Sequence, residues 1–564
     1  MNSEASAQQP DATADDPPPG GVRGRPGGRP PWRRYTRRVA WLAFLGAWVG
    51  LGAWHMTKPL PPGTRLATPW QDVPADSVRL LVDLTTADAY GQPVIQQQIF
   101  DETLRLVANA RQFVVLDQFL FNDQRGALAA APAAESGRGA GSPPGPDRSR
   151  APLRPLTRDL TAALVAAKRA RPALRILFVT DPINDVYGGE PSPELAQLEA
   201  AGIEVVRTDL DPLRDSNPAW SGLWRLTMNW WDGEATGEGW LPNPLETGPS
   251  RVPFRAWARL LNFKANHRKV LIADDGSGSG SLVGIVGSAN PHDASSAHSN
   301  LALELRGEAL RPLLRSEIEV ARFSGWRGGD LPGHDGPDAD APGADGPRAT
   351  APGSPTPGRS VAGSGTLRVR VLTEGAIRDA LLERVAGTAR GDRIDVAMFY
   401  LSEHGIVEAL IAAARRGVEV RVLLDPNKDA FGRQKGGIPN RPVAAELVSR
   451  SDGAIRVRWY RTHGEQFHTK LVMVRSGDRL WLTLGSANLT RRNVGDFNLE
   501  ANLAVDAPLG ASIAQDALRY FETLWNNRAP AGIEYTADFG TFADPSQASY
   551  WAYRILEASG LSTF

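Results

Sequence analysis

Two stretches of this chain repeat one another. Residues 174–188 read LRILFVTDPINDVYG and residues 418–432 read VEVRVLLDPNKDAFG. Asp181-Pro182 matches Asp425-Pro426, Asp185 matches Asp429, and Tyr187-Gly188 matches Phe431-Gly432. Each copy opens as an apolar, β-branched run that predicts a strand, and each follows a predicted helix, over 160–170 and 405–416. Upstream, Phe113 to Phe121 resembles Ile394 to Leu401, and downstream, residues 202–206 match residues 454–458. A unit that alternates strand and helix in this way forms a sheet flanked by helices, and here it is written twice. The expected fold class is α/β: two pseudo-symmetric lobes, each a mixed β-sheet flanked by helices. At 564 residues the chain is also too long for one domain.

Composition marks the boundaries. Residues 1–38 are rich in Pro, Gly, Asp and Arg and are expected to be a disordered basic tail. An apolar run follows from Val39 to Trp54, which as a helix spans roughly 24 Å; His55 and Met56 extend it. It predicts a transmembrane anchor over 39–56, with Trp32 and Trp54 at the two interfaces. A signal peptide and a buried soluble helix fit less well, because the preceding polar region is long and Arg33, Arg34, Arg37 and Arg38 crowd one end. Those arginines also place the tail in the cytoplasm and the lobes outside it, at the cell's inner membrane, with a single crossing. The first lobe is expected over 75–327, with a disordered insertion at 126–151. A Gly-, Pro-, Ala- and Asp-rich linker covers 328–365, the second lobe 366–530, and a C-terminal extension 531–564.

The copies differ in one respect. The stretch from Asp181 to His267 is twice as long as that from Asp425 to His468, so the first lobe carries an insert, roughly 209–263. It holds Trp220, Trp224, Trp230, Trp231, Trp240 and Trp257 of the chain's 16 tryptophans. Such an insert is either a small aromatic subcore or a lip that dips into a lipid interface, where Trp is favoured.

The chemistry-bearing residues recur with the repeat. In the first half, His267-Arg268-Lys269 opens an apolar run ending at Asp274, and Gly287-Ser288-Ala289-Asn290 and Asn300 follow. In the second, His468-Thr469-Lys470 opens the run, and Gly485-Ser486-Ala487-Asn488, Asn498 and Glu500 follow, with ten residues from Asn290 to Asn300 and from Asn488 to Asn498 alike. With 8 histidines and seven lysines, chance would supply on the order of 0.1 His-x-Lys pairs, yet two occur at matching places. On a strand, residues i and i+2 share a face, so each His aims with its Lys, whereas Arg268 points the other way and reads as structural. The GSAN turns offer backbone N–H groups, a hydroxyl and an amide to an anion.

Two imidazoles, two ammonium groups and two amides facing one another suit phosphodiester exchange without a metal. One neutral imidazole attacks phosphorus and the other, protonated, gives its proton to the leaving alkoxide. Lysines and asparagines stabilise the non-bridging oxygens. The chain has no cysteine and no clustered set of ligands, so neither metal nor cofactor is expected. Asp181 and Asp425, each before a proline, read as turn formers, and His292, His298, His404 and His463 as supporting or surface residues.

These motifs resemble the phospholipase D superfamily, whose signature is a pair of HxK(x)4D motifs with GSxN segments. The resemblance covers about Val78 to Asn526, and the stretch NHRKVLIAD is similar to the cardiolipin synthase-like and bacterial phospholipase branch. It implies two lobes with the site between them and a covalent phosphohistidine, with His267 as nucleophile and His468 as acid and base. By the same resemblance Lys269, Lys470 and Asp274 belong to the catalytic set. Ser288, Asn290, Ser486 and Asn488 would bind phosphate, and Asn300, Asn498 and Glu500 would support them. One departure stands out: Arg475 occupies the place of the second motif's Asp, with Asp478 nearby.

The expected partners are a phospholipid substrate, the membrane, and an acceptor water or alcohol. The 63 basic and 63 acidic residues balance, which disfavours non-specific grip on nucleic acid. A membrane-tethered nuclease using the same site is the alternative enzyme, and a scaffold with a decayed site the alternative outside catalysis.

Overall fold

The computed structural model describes residues 31–87, 93–123, 153–230, 239–243, 245, 250–329, 331, 366–430, 433–434, 436–528 and 534–562. Residues 1–30 of the expected tail, the 126–151 insertion and nearly all of the 328–365 linker lie outside them, whereas residues 31–38, expected as part of the disordered tail, open the first helix. Leu331 is an exception to the linker expectation. It is buried in the central core, so the chain leaves the first lobe later than its composition suggests.

Two sheets form the body. The first has eight strands, ordered Pro93–Gln96, Val78–Ala87, Asn300–Arg306, Leu282–Gly287, Lys269–Asp274, Phe113–Gln118, Arg175–Thr180 and Glu204–Arg207. The second has nine, ordered Gln71–Pro74, Thr366–Thr373, Ala501–Pro508, Arg479–Gly485, Lys470–Ser476, Arg393–Met398, Glu419–Leu424, Ile455–Tyr460 and Thr536–Asp538. Seven strands follow the same order in both, and each sheet is mixed. The run Phe113–Gln118, Arg175–Thr180, Glu204–Arg207 is parallel, as is Arg393–Met398, Glu419–Leu424, Ile455–Tyr460. Helices such as Leu156–Ala170 and His404–Arg415 supply the crossovers that parallel pairing requires.

The sheets share one apolar core. Val270, Ile272, Val286 and Leu303 of the first pack with Leu471, Met473, Leu484 and Leu503 of the second. The alternate residues Leu271 and Ala273 face the helices outside. The near-continuous apolar runs seen in the sequence are therefore strands buried on both sides. Two short segments sit in the second sheet although the sequence divides them from that lobe. Gln71–Pro74 pairs with Thr366–Thr373, and Thr536–Asp538, from the expected C-terminal extension, pairs with Ile455–Tyr460.

The N-terminal helix runs from Pro31 to Thr57, and Tyr35–Thr57 is long and apolar enough to cross a membrane. Its 23 residues span about 35 Å, more than the Val39–Trp54 run alone. The insert docks on it. Helix Pro218–Thr227 lies against its C-terminal half, and two glycines allow the approach. A Cβ on Gly52 would stand 2.7 Å from the Pro218 carbonyl, and one on Gly222 would stand 2.8 Å from the Trp48 carbonyl. The Trp48 indole donates to the Ala219 carbonyl at 2.7 Å, and Asp215 N donates to the His55 carbonyl at 2.9 Å. The insert is partly a subcore, with Trp224 buried, and partly a projecting surface, with Trp230 79% and Trp240 69% exposed. Trp231 lies outside the described residues.

Candidate active site

Each His-x-Lys pair begins a central strand and is held there by its own lobe and by the other. Asp181 accepts from Ile183 N at 2.7 Å and from Asn266 N at 2.6 Å, tying the turn after its strand to the residue before His267. Asp425 repeats this with Asn427 N at 2.6 Å and Phe467 N at 2.8 Å. The two aspartates are thus turn formers that also aim the histidines. Across the lobes, His267 N donates to the Leu499 carbonyl and His468 N to the Ser299 carbonyl, both at 2.9 Å. Each lysine donates to the carbonyl of its own histidine, Lys269 at 2.8 Å and Lys470 at 3.0 Å.

The partners of the imidazoles differ. His267 Nδ1 donates to the Glu500 carboxylate, 2.8 and 3.1 Å from its two oxygens. His468 Nδ1 lies 3.0 Å from the Asn300 amide oxygen. Each lobe therefore supports the other's histidine, one with a charge and the other with a neutral dipole. Asn300 corresponds in space to Glu500, not to Asn498 as the equal spacing from the GSAN turns suggests. Both bond the serine of their own GSAN turn: Ser288 Oγ donates to Asn300 Oδ1 at 3.1 Å, and Ser486 Oγ donates to Glu500. Asn498 instead accepts from Ala265 N at 3.1 Å, bracing the segment before His267.

Three expectations need correction. Ser288 and Ser486 are fully buried and occupied, each also accepting from the backbone N–H of Leu301 or Ala501, so they position Asn300 and Glu500 and do not present a hydroxyl to phosphate. Asp274 stands at the far end of its strand, seven residues or about 23 Å from His267. There it accepts from the backbone N–H groups of Arg111, Gln112, Phe113 and Gly276, which makes it a loop anchor. Arg475, its counterpart, is exposed at the same remote end, so the missing second aspartate does not touch the site. Asn290 and Asn488 are both buried; Asn290 lines a cavity with Lys269, and Asn488 Oδ1 has no hydrogen-bond partner among the described residues.

Several residues escaped the sequence. Phe119 packs edge-on to His267 with ring centroids 4.7 Å apart, and Phe399 packs likewise on His468 at 4.9 Å. The Lys269 and Lys470 ammonium groups lie over the same rings, at 5.0 and 5.4 Å. The matching upstream strands carried this signal. Asn493 donates to Glu500 and lies 3.4 Å from His267 Nδ1, with no motif to announce it. Arg268, read as structural, is a buried link between lobes, 2.7 Å from Glu374 and 3.2 Å from Glu317. His298 is buried near His468, with ring centroids 6.2 Å apart, whereas His404 and His463 are about half exposed.

Burial sets the electrostatics. It pulls His267 down to about 4, with the Glu500 charge opposing, and it pulls His468 well below its usual value with the two lysines adding to the effect. It also brings Lys269 down to about 7, and Lys470 well below the usual lysine range. Glu500, which burial alone would raise, is held below its usual value by His267 and Lys269. A phosphate arriving between the lysines would supply the negative charge that keeps both protonated. Among the described residues no group of three or more His, Asp or Glu is arranged to hold a metal ion.

Residues 382–525 match the family model described as cardiolipin synthase, PLD-like domain. Among curated proteins, cardiolipin synthase A of Cronobacter sakazakii is 31% identical over 143 residues, covering 25% of this chain and 27% of the relative. The match thus spans about a quarter of the relative's length. Among solved structures, phosphatidylserine synthase of Haemophilus influenzae is similar over 92% of this chain and 99% of its own, at 10% identity and a TM-score of 0.46. Nuc of Salmonella typhimurium, a phospholipase D family member, is similar over 30% of this chain and 97% of its own, at 20% identity and a TM-score of 0.23. Residues 382–525 thus carry a PLD-like domain of the cardiolipin synthase type, in a chain that places a His-Lys pair in each of its two lobes.

Proposed function

We propose that this protein is a membrane-anchored phospholipid phosphodiesterase or phosphatidyltransferase that works through a phosphohistidine on His267. The observation that carries the reading is the unequal support of the two histidines. With Nδ1–H donated to Glu500, the His267 Nε2 lone pair is free to attack phosphorus. Attack forms the Nε2–P bond, breaks the P–O bond to the headgroup alcohol, and leaves a positive charge on the His267 ring. Glu500 sits where that charge develops. His468 bonds only a neutral amide oxygen, so its imidazolium is the stronger acid and the better donor to the departing alkoxide. In the second half, neutral His468 takes a proton from water or an alcohol. The resulting oxygen attacks phosphorus and the Nε2–P bond breaks.

Lys269, Lys470, Asn290 and Asn488 hold the non-bridging oxygens in both halves. The cardiolipin synthase match supports a phospholipid as the phosphoryl source, and the Tyr35–Thr57 helix supports a membrane setting. Arg33, Arg34, Arg37 and Arg38, ahead of the apolar run that starts at Val39, favour lobes on the extracytoplasmic side. Acid quenching of the full-length enzyme with phospholipid, followed by peptide mass spectrometry, tests the roles. The His468→Ala enzyme is expected to accumulate a phosphatidyl adduct on the peptide containing His267, and His267→Ala to form none. An adduct on His468 in the wild-type enzyme would reverse the assignment. Products made with and without added glycerol or phosphatidylglycerol then tell transfer from hydrolysis. Protease added to intact spheroplasts tests the topology, since lobes that stay protected would place them in the cytoplasm.

A further inference from the structure

The C-terminal helix Gln547–Ser559 is built inside out. Its inward side carries Tyr553, whose hydroxyl donates to Glu446, and Glu557, which accepts from Arg491 N. Its exposed side carries Ala548, Trp551, Ile555 and Ala558, an i, i+3, i+7, i+10 stripe without a charge. Trp551 is 59% and Ile555 60% exposed, and Leu561 continues the patch just beyond the helix. A helix bathed only in water keeps such a stripe for the core and turns its polar residues outward. The reverse arrangement calls for a second apolar phase on the outside.

The place of the helix names that phase. Gly560 ends it in a left-handed conformation, φ 75°, pressed so closely on the Ser216 carbonyl that no side chain fits between them. Ser216 leads into helix Pro218–Thr227, which packs on the membrane-crossing helix through Gly222 and Gly52. Arg491, bonded through its N–H to Glu557, reaches Met56 Sδ at 3.7 Å, near the end of the membrane-crossing helix. The same guanidinium lies 3.4 Å from the Ser216 carbonyl. The stripe, the insert with its exposed Trp230 and Trp240, and the outer end of the membrane helix therefore form one connected neighbourhood.

We propose that the Ala548–Trp551–Ile555–Ala558 stripe, with Leu561, is a lipid-contacting face that lies in the surface of the bilayer crossed by Tyr35–Thr57. Trp suits this boundary because its ring is apolar and its N–H finds a partner among headgroups. This face also ties the catalytic centre to the membrane surface. Arg491 and Asn493 share the short segment Arg491–Val494, and Asn493 bonds the Glu500 that holds His267. The inference rests on the membrane-anchored reading above, and its test is independent of turnover.

The chain has no cysteine, so single nitroxide labels are introduced without background. Full-length Ile555→Cys and Ala558→Cys proteins are labelled and reconstituted into phospholipid vesicles. Arg519→Cys, at a side chain 70% exposed on helix Ser512–Trp525, serves as the water-facing control. Collision with dissolved oxygen is expected to exceed collision with a water-soluble nickel chelate by about threefold or more at 555 and 558, and the order to invert at 519. Nickel access at 555 equal to that at 519 overturns the proposal. Exclusion of both reagents from 555 overturns it as well, since it would mean that protein, such as a second copy of the chain, covers the stripe.

Discussion

Replacing Glu500 with Gln keeps the size and an acceptor for His267 Nδ1 but removes the charge. The ion pair formed when the His267 ring becomes cationic has an N–O separation of 2.8 Å, which places the charge centres about 4 Å apart. At the effective dielectric of about 20 that suits protein sites, such a pair is worth about 4 kcal/mol. If that stabilisation exists only once the ring is charged, its loss falls on the barrier and slows turnover by roughly a thousandfold. Asn300→Ala removes a neutral hydrogen bond worth about 1 kcal/mol and is expected to slow turnover by about tenfold or less. The assay is release of headgroup alcohol from phospholipid vesicles by the full-length enzyme, with melting temperatures measured alongside. A loss of less than about tenfold in the Glu500→Gln enzyme, or a larger loss in Asn300→Ala than in Glu500→Gln, would refute the charge-stabilisation argument and the choice of His267 as nucleophile.

Four further outcomes are expected. Asn300→Asp places a carboxylate beside His468, which burial and the lysines hold low. Its pKa should rise, the protonated acid should persist to higher pH, and the alkaline limb of the pH–rate profile should move up; a limb that stays or moves down contradicts this. Arg268→Met removes the buried cation that joins Glu317 and Glu374 across the lobes, so urea denaturation should show a loss of about 3–5 kcal/mol. Asp274→Asn should lower the melting temperature yet leave kcat of the folded enzyme within about twofold, since it only anchors a loop; a kcat loss like that of Lys269→Ala would return it to the catalytic set. Incubation with EDTA should leave activity intact, and loss restored by added metal would overturn the two-histidine mechanism.

What the sequence determined is whatever depends on local spacing. The repeat implied two like sheets, and seven strands in each do follow one order. The i, i+2 rule aimed His267 with Lys269 and His468 with Lys470, and it turned Arg268 away, because alternation is a property of the strand backbone itself. The apolar run near the N-terminus likewise marked a helix, one long and apolar enough to cross a membrane. The tertiary structure decided everything that crosses between distant segments. Glu500 meets His267 and Asn300 meets His468 only because two sheets share a core, and no local period encodes a pairing more than 160 residues apart. Equal spacing pointed to Asn498 as the counterpart of Asn300, but a two-residue difference in the loops before these strands made it Glu500. Asp274 stands within seven residues of His267 and shares its motif, yet an extended strand carries it to the other end of the lobe. The insert's place against the N-terminal helix was equally hidden, since Gly52 and Gly222 mark a close approach only once the two helices are brought together.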